Sequence, residues 1–103
     1  MVNSGSSANL ILIAALKKRF EWDDGDEIIV SPVGFPTTIS VLYQHRLTPV
    51  FVDIEWDTLN FDLDKLESKI THKTRGIFVS PVLGNPPDMD RLREISKKHN
   101  IKL

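Results

Sequence analysis

The sequence predicts an α/β protein built on a mainly parallel sheet with crossover helices, and three observations carry that expectation. Short apolar runs of strand length, Glu27–Val30, Thr48–Asp53 and Arg75–Ser80, alternate with longer stretches of helical periodicity. The joining segments are short and hold Gly, Pro, Asn and Asp, which end one element and open the next. The strand runs are also apolar at successive positions, as strands covered on both faces are. Strands that alternate with helices through short loops pair in parallel.

The first element is a helix. Asn3-Ser4-Gly5-Ser6-Ser7-Ala8-Asn9 runs straight into Leu10-Ile11-Leu12-Ile13-Ala14-Ala15-Leu16, a hydroxyl-rich turn opening a strong helix former. The helix is expected from Ser6 or Ser7 to Phe20, buried nearly all round in its first half. Lys17, Lys18 and Arg19 crowd its last turns, where cations suit the helix dipole. Trp22-Asp23-Asp24-Gly25-Asp26 reads as a polar turn, and Glu27–Val30 as the first buried strand.

Pro36 stands where a second helix would take its first turn, since its missing N–H costs nothing there. That helix is expected to turn Ile39, Leu42 and Tyr43 inward. Thr48–Asp53 is the second strand, with Asp53 at its carboxyl end. Asp57–Asn60 forms a turn, and Asp62 caps a helix with Leu63, Leu66 and Ile70 inside. Arg75–Ser80 is the third strand. The last helix has Asp88 and Asp90 in its first turn and Lys97 and Lys98 in its last, with Met89, Leu92, Ile95 and His99 inward. Ile101 opens a further strand, so the sheet of residues 1–103 is expected to be incomplete.

Composition bounds the function. A chain of 103 residues is one domain at most. A net charge of -1 provides no electrostatic case for nucleic acid or an anionic membrane surface. With Cys at 0, disulfides, thiolate metal sites and cysteine nucleophiles are excluded from this stretch. No apolar run is long enough to span a bilayer, and the amino end lacks the order of a signal peptide. The cytoplasm is the expected location.

In parallel α/β sheets the ligand sits at the carboxyl ends of the strands. Two loops leave those ends, Pro32–Thr38 and Pro81–Pro87. Gly5, Ser6 and Ser7 at the first helix start can be a plain cap or an anion site, since the first N–H groups of a helix lack internal partners. Phe35, between Gly34 and Pro36, can plug the top of the sheet or lie against a planar ring. Asp53 can bind a metal or a ribose, or simply hold a loop. Asn85 can contact a polar ligand edge or form a turn. His45, His72 and His99 have no metal-ligand spacing. No Walker-type lysine and no G-x-G-x-x-G is present.

Several of these stretches together resemble a family. Asn3–Leu10, Gly25–Val30, Pro49–Ile54, Asp57–Asp62, Lys73–Ile77 and Gly84-Asn85-Pro86 followed by Asp88-Met89-Asp90 match, in order, the DegT-type nucleotide-sugar aminotransferases. The resemblance covers nearly the whole chain. It implies the fold of type I pyridoxal-phosphate enzymes, with 1–103 as the amino-terminal part of the cofactor-binding domain. It further implies that Gly5, Ser6 and Ser7 hold the phosphate of pyridoxal or pyridoxamine 5'-phosphate. Phe35 would stack on the pyridine, with Asn85 in a loop near the active site.

Gly34-Phe35-Pro36-Thr37-Thr38 and Leu83-Gly84-Asn85-Pro86 are most similar to the branch that removes the sugar 3-hydroxyl, the CDP-4-keto-6-deoxyglucose 3-dehydrases. In that branch a histidine replaces the lysine that ordinarily bonds to the cofactor. The branch also resembles iron–sulfur proteins in a distant part of the chain, so any such cluster would lie outside residues 1–103. The resemblance implies a nucleotide-linked 4-keto-6-deoxy sugar as substrate, dehydration or transamination as reaction, deoxysugar and cell-surface polysaccharide synthesis as setting, and a homodimer. Catalytic residues are expected beyond Leu103, so the segment alone should be inactive and, with an open sheet edge, prone to aggregate. The alternatives are a sugar- or nucleotide-sensing module on the same fold and a Rossmann-type dinucleotide domain using Asp53.

Overall fold

A computed structural model describes residues 1–103. Helix α1 (Gly5–Arg19) leads to strand β1 (Glu27–Val30), helix α2 (Thr37–Gln44) and strand β2 (Thr48–Phe51). The single helical turn α3 (Leu63–Leu66) runs on into a tighter turn, Glu67–Lys69, and then come β3 (Thr74–Phe78) and α4 (Met89–His99). The strands form one parallel sheet in the order β2-β1-β3. Past α4 the chain returns to the free edge of β3. There Lys102 N–H donates to the Arg75 carbonyl, and Ile77 N–H to the Lys102 carbonyl, both at 2.8 Å.

Alternation along β1 assigns the two faces. Ile28 and Val30 pack with Ile13, Trp22, Val41, Leu42 and Leu47 on the α1 and α2 side. Ile29 points the other way, into a cluster with Val52, Phe61, Leu63, Leu66, Ile77, Leu92, Ile95 and Ile101 under α3 and α4. Both sides of β1 are therefore dry, which is why its apolar run is continuous.

Helix ends follow the expected chemistry. The Ser4 hydroxyl accepts from Ser7 N–H at 3.1 Å, so α1 begins at Gly5. Asp62 Oδ1 accepts from Asp64 and Lys65 N–H, and Asp88 Oδ1 from Arg91 N–H at 3.0 Å. Asn100 ends α4 in the left-handed region, a conformation asparagine tolerates.

The structure departs from the sequence reading in four places. The outer strands are trimmed to their partner: β1 has four residues, so β2 ends at Phe51 rather than Asp53 and β3 at Phe78 rather than Ser80. In α2 the inward pair is Val41 and Leu42, while Tyr43, one helical step further round, is 62% exposed. Along α1 only Ile13 is fully buried; Leu10, Ile11 and Leu12 stay exposed because nothing within 1–103 covers that side. Finally, the segment after Phe20 is no simple polar turn. Trp22 is buried in the α1–α2 core, and Asp26 is buried in an ion pair with Arg75 at 2.7 Å.

Candidate functional site

A recess of about 400 Å³ opens beyond the carboxyl ends of β1 and β3. Gly5, Ser6 and Asn9 of α1 form one wall, Phe35 and the α2 start at Thr37 and Thr38 form another, and Ser80 closes the β3 side. The sequence places these residues by simple means. The Ser4 cap fixes where α1 starts, the end of β1 launches the Phe35 loop, and Pro36 begins α2 with no side-chain cap of its own.

Two features suit the recess to a phosphate. In the first turn of α1, Ser7 N–H is taken by the Ser4 hydroxyl and Ala8 N–H by the Ser4 carbonyl at 3.0 Å. The Gly5 and Ser6 N–H groups remain without a helical acceptor, at the positive end of the dipole. Gly5 itself is bare for no internal reason: it lacks a left-handed φ, and a Cβ built there meets nothing within 4 Å. A side chain at that position would project into open space that a ligand can use. The lining holds no carboxylate to repel an anion.

Within residues 1–103 Phe35 is 69% exposed and belongs to neither buried cluster. An exposed ring beside an anion-suited helix start leaves one flat apolar surface for a planar ligand.

The expected site residues are thus partly gathered. Gly5, Ser6 and Phe35 share the recess. Ser7 is one residue further into α1, with its hydroxyl accepting from the Ser4 hydroxyl at 3.1 Å. Asn85 lies elsewhere. Its side-chain amide donates to the Thr58 carbonyl at 3.1 Å, and its own carbonyl accepts from the Asn60 amide at 3.2 Å. These bonds tie the 81–87 loop to the 57–60 turn and place Asn85 in a separate recess with Glu55, Pro87 and Arg91. Asn9, Thr37, Thr38 and Ser80 line the main recess without having been singled out from sequence. The signal for them is positional: each sits at a helix start or strand end on the ligand side of the sheet.

Other polar groups have structural work. Asp53 accepts from Ile54 N–H at 3.0 Å and faces Lys65 Nζ at 3.5 Å, away from the recess. Burial pushes the Asp26 carboxyl up, but the hydrogen bonds from Arg75 and Asp23 N–H outweigh it and hold the group below its ordinary value. Glu67 is drawn down to about 2 by hydrogen bonds from Lys98 and His99. Asp26 lies at the amino end of β1, opposite the recess. No group of three or more His, Cys, Asp or Glu side chains could hold a metal ion.

A larger groove, about 680 Å³, runs along the free edge of β3 between Leu12, Leu16 and Phe20 on one side and Met89 and Leu103 on the other. Eleven of its fifteen lining residues are hydrophobic, and no set of polar groups converges in it. It is uncovered sheet edge rather than a site for chemistry.

Comparison with known proteins agrees with this geometry. Residues 1–103 match the model of the DegT/DnrJ/EryC1/StrS aminotransferase family. The chain is 48% identical over 103 residues to a GDP-4-keto-6-deoxy-D-mannose 3-dehydratase of Yersinia pseudotuberculosis, covering 98% of this chain and 26% of that one. It is 43% identical over 107 residues to a dTDP-4-dehydro-2,6-dideoxy-D-glucose 3-dehydratase of Saccharopolyspora spinosa, covering 100% and 23%. Among solved structures, an E. coli GDP-4-keto-6-deoxy-D-mannose-3-dehydratase with bound hydrated PLP superposes with a TM-score of 0.89 at 42% identity, over 97% of this chain and 26% of that one. The chain therefore spans about a quarter of the length of these relatives. Their sugars are linked to GDP and dTDP, where the sequence resemblance named CDP. With a match over its full length and a parallel sheet that superposes on a solved member, the chain belongs to the DegT/DnrJ/EryC1/StrS aminotransferase family and has its type I pyridoxal-phosphate enzyme fold.

Proposed function

We propose that the full-length protein uses pyridoxal or pyridoxamine 5'-phosphate to act on a nucleotide-linked 4-keto-6-deoxy sugar. The reaction is removal of the 3-hydroxyl or transamination, in deoxysugar and cell-surface polysaccharide synthesis. The observation that carries this reading is the recess at the strand ends, where a bare helix start and an exposed aromatic ring face one space. The identity to relatives named as 3-dehydratases favours dehydration.

When bound, the cofactor supplies an electron sink for the sugar carbons. The residues of 1–103 do the holding. Gly5 and Ser6 present their N–H groups, and Ser6 its hydroxyl, to the phosphate. Ser7 supports that turn through its hydrogen bonds with Ser4. Phe35 fixes the plane of the ring. Asn85, held by Thr58 and Asn60, braces the loop beyond β3 and is not part of this contact set. Residues that handle protons belong to chain beyond Leu103. No helix is long and apolar enough to cross a membrane, and a cytoplasmic homodimer is the assembly we propose. The exposed apolar stripe Leu10–Leu12 supports a further packing surface on α1.

The test is titration of pyridoxal 5'-phosphate into the full-length protein, followed by cofactor absorbance. Binding is expected, with large loss of affinity in Ser6→Leu and Ser7→Leu variants. Absence of binding, or binding indifferent to both changes, would overturn the proposal.

A further inference from the structure

Three polar residues are buried: Asp26, Thr74 and Asn60. The first two have structural reasons at the amino end of the sheet, where Asp26 pairs with Arg75 and the Thr74 hydroxyl accepts from Thr71 N–H at 2.9 Å. Asn60 follows the carboxyl end of β2, on the ligand side of the sheet. Its side-chain amide reaches across 25 positions to donate to the Asn85 carbonyl at 3.2 Å. The Asn85 amide in turn donates to the Thr58 carbonyl at 3.1 Å. Chain leaving the two outer strands is thereby joined past the end of β1.

One end of this link is firm. Phe61 is buried in the cluster under α3 and α4 and bridges to Ile54, and the Asn60 carbonyl accepts from Glu55 N–H at 3.0 Å. The other end needs holding. Asn85 N–H donates to the Val82 carbonyl at 2.9 Å, closing a turn whose central residues Leu83 and Gly84 have φ of +52° and +78°. Glycine accepts that conformation, but leucine is strained in it. The two amide bonds supply the hold that the turn's own backbone does not. From the turn, position passes to the recess with little slack. Only Pro81 stands between Val82 and Ser80; its ring fixes its own φ and restricts the residue before it. Ser80 is the residue that closes the β3 side of the recess.

We propose that Asn60 is a positioning residue: by holding the Asn85 carbonyl it sets where the Ser80 hydroxyl stands against the bound cofactor. This rests on the cofactor reading of the recess given above. Asn60 does not touch the cofactor, and its effect passes through the 82–85 turn to Ser80.

The experiment uses full-length protein carrying Asn60→Ala, Ser80→Ala, or both. Each variant is titrated with pyridoxal 5'-phosphate by absorbance, melted as apo protein and followed by amide hydrogen exchange. Ser80→Ala should weaken cofactor binding about threefold to tenfold, the loss of one hydrogen bond. Asn60→Ala should weaken it by a similar factor. The double variant should be no more than about twofold weaker than the worse single one, because one residue acts through the other. Exchange across residues 79–87 should quicken in Asn60→Ala while the amides of β1 keep their protection. Ile95→Val, a truncation in the core cluster on α4, is the control. It should lower the melting temperature and leave cofactor affinity within about twofold of wild type. Asn85 is exposed, so Asn85→Ala, which frees the turn from Thr58, makes the same test with Ser80→Ala if Asn60→Ala does not fold. Additive losses in the double variant overturn the proposal, as does unchanged affinity in either single one or unchanged exchange across 79–87. An equal loss of affinity in Ile95→Val at the same melting temperature also overturns it, because Asn60 would then serve stability alone. Wild type failing to bind the cofactor would sink the earlier reading; wild type binding it while both single variants keep its affinity would sink only this one.

Discussion

Replacing Phe35 with alanine separates binding from folding, because the ring is 69% exposed and belongs to neither buried cluster. Its loss should therefore change folding stability by less than about 0.5 kcal/mol. Binding is another matter. Covering one face of the ring recovers roughly half of what full burial of a phenylalanine yields, about 1 kcal/mol. The electrostatic match between two stacked rings adds about 0.5–1.5 kcal/mol. Together these amount to about 1.5–2.5 kcal/mol, or roughly a 10- to 70-fold weaker Kd for pyridoxal 5'-phosphate. The assay is absorbance titration of full-length wild type, Phe35→Ala and Phe35→Trp, with melting curves of the apo proteins alongside. Tryptophan should retain affinity because it keeps the flat face. An unchanged Kd in the alanine variant would refute the stacking role. So would a Kd that weakens only in step with a fallen apo melting temperature.

Other outcomes follow from burial and charge. Leu92 is fully buried at the centre of the α3–α4 cluster, and Leu92→Ala should cost about 2–5 kcal/mol in urea unfolding. Asp26→Asn removes the charge that Arg75 faces, and since the Arg75 side chain is 39% exposed, the loss should be nearer about 1–2 kcal/mol than the full cost of breaking a buried pair. Asp26 and Glu67 both have folded-state values below their ordinary 3.8 and 4.5. Their stabilisation is therefore complete above those values and lost as pH falls through the folded ones, for Glu67 between about 4.5 and about 2. Unfolding measured across that range should show the decline, flattened in Glu67→Gln. Gly76→Ala, whose Cβ meets the Lys102 carbonyl at 3.1 Å, should lower the melting temperature where Gly34→Ala does not.

Much of the fold was legible because its signals are local. The continuous apolar run of β1, the cap at Asp62 and the dipole-matched charges of α4 act within a few residues of where they are written. Element order alone points a ligand to the carboxyl ends of the strands, and a recess opens there. Strand lengths are not written locally, because a strand extends only as far as its partner, and β1 is four residues long. The outward turn of Tyr43 is not written locally either, because a helix with apolar residues at 39, 41, 42 and 43 does not say which pair meets the sheet.

By itself, the sequence determined the parallel α/β class, a helix opening out of the Asn3–Asn9 turn and the aromatic loop after β1. These depend on backbone hydrogen bonds and steric preferences that reach only a turn or so along the chain. The tertiary structure decided which candidates meet. Phe35 and Gly5 are distant in sequence and share a recess, while Asn85, equally eligible on paper, is drawn off by Thr58 and Asn60. It also turned Asp26 from a turn residue into the partner of Arg75, 49 positions away. Such pairings depend on how β1 and β3 lie side by side, and no short stretch of sequence contains both partners.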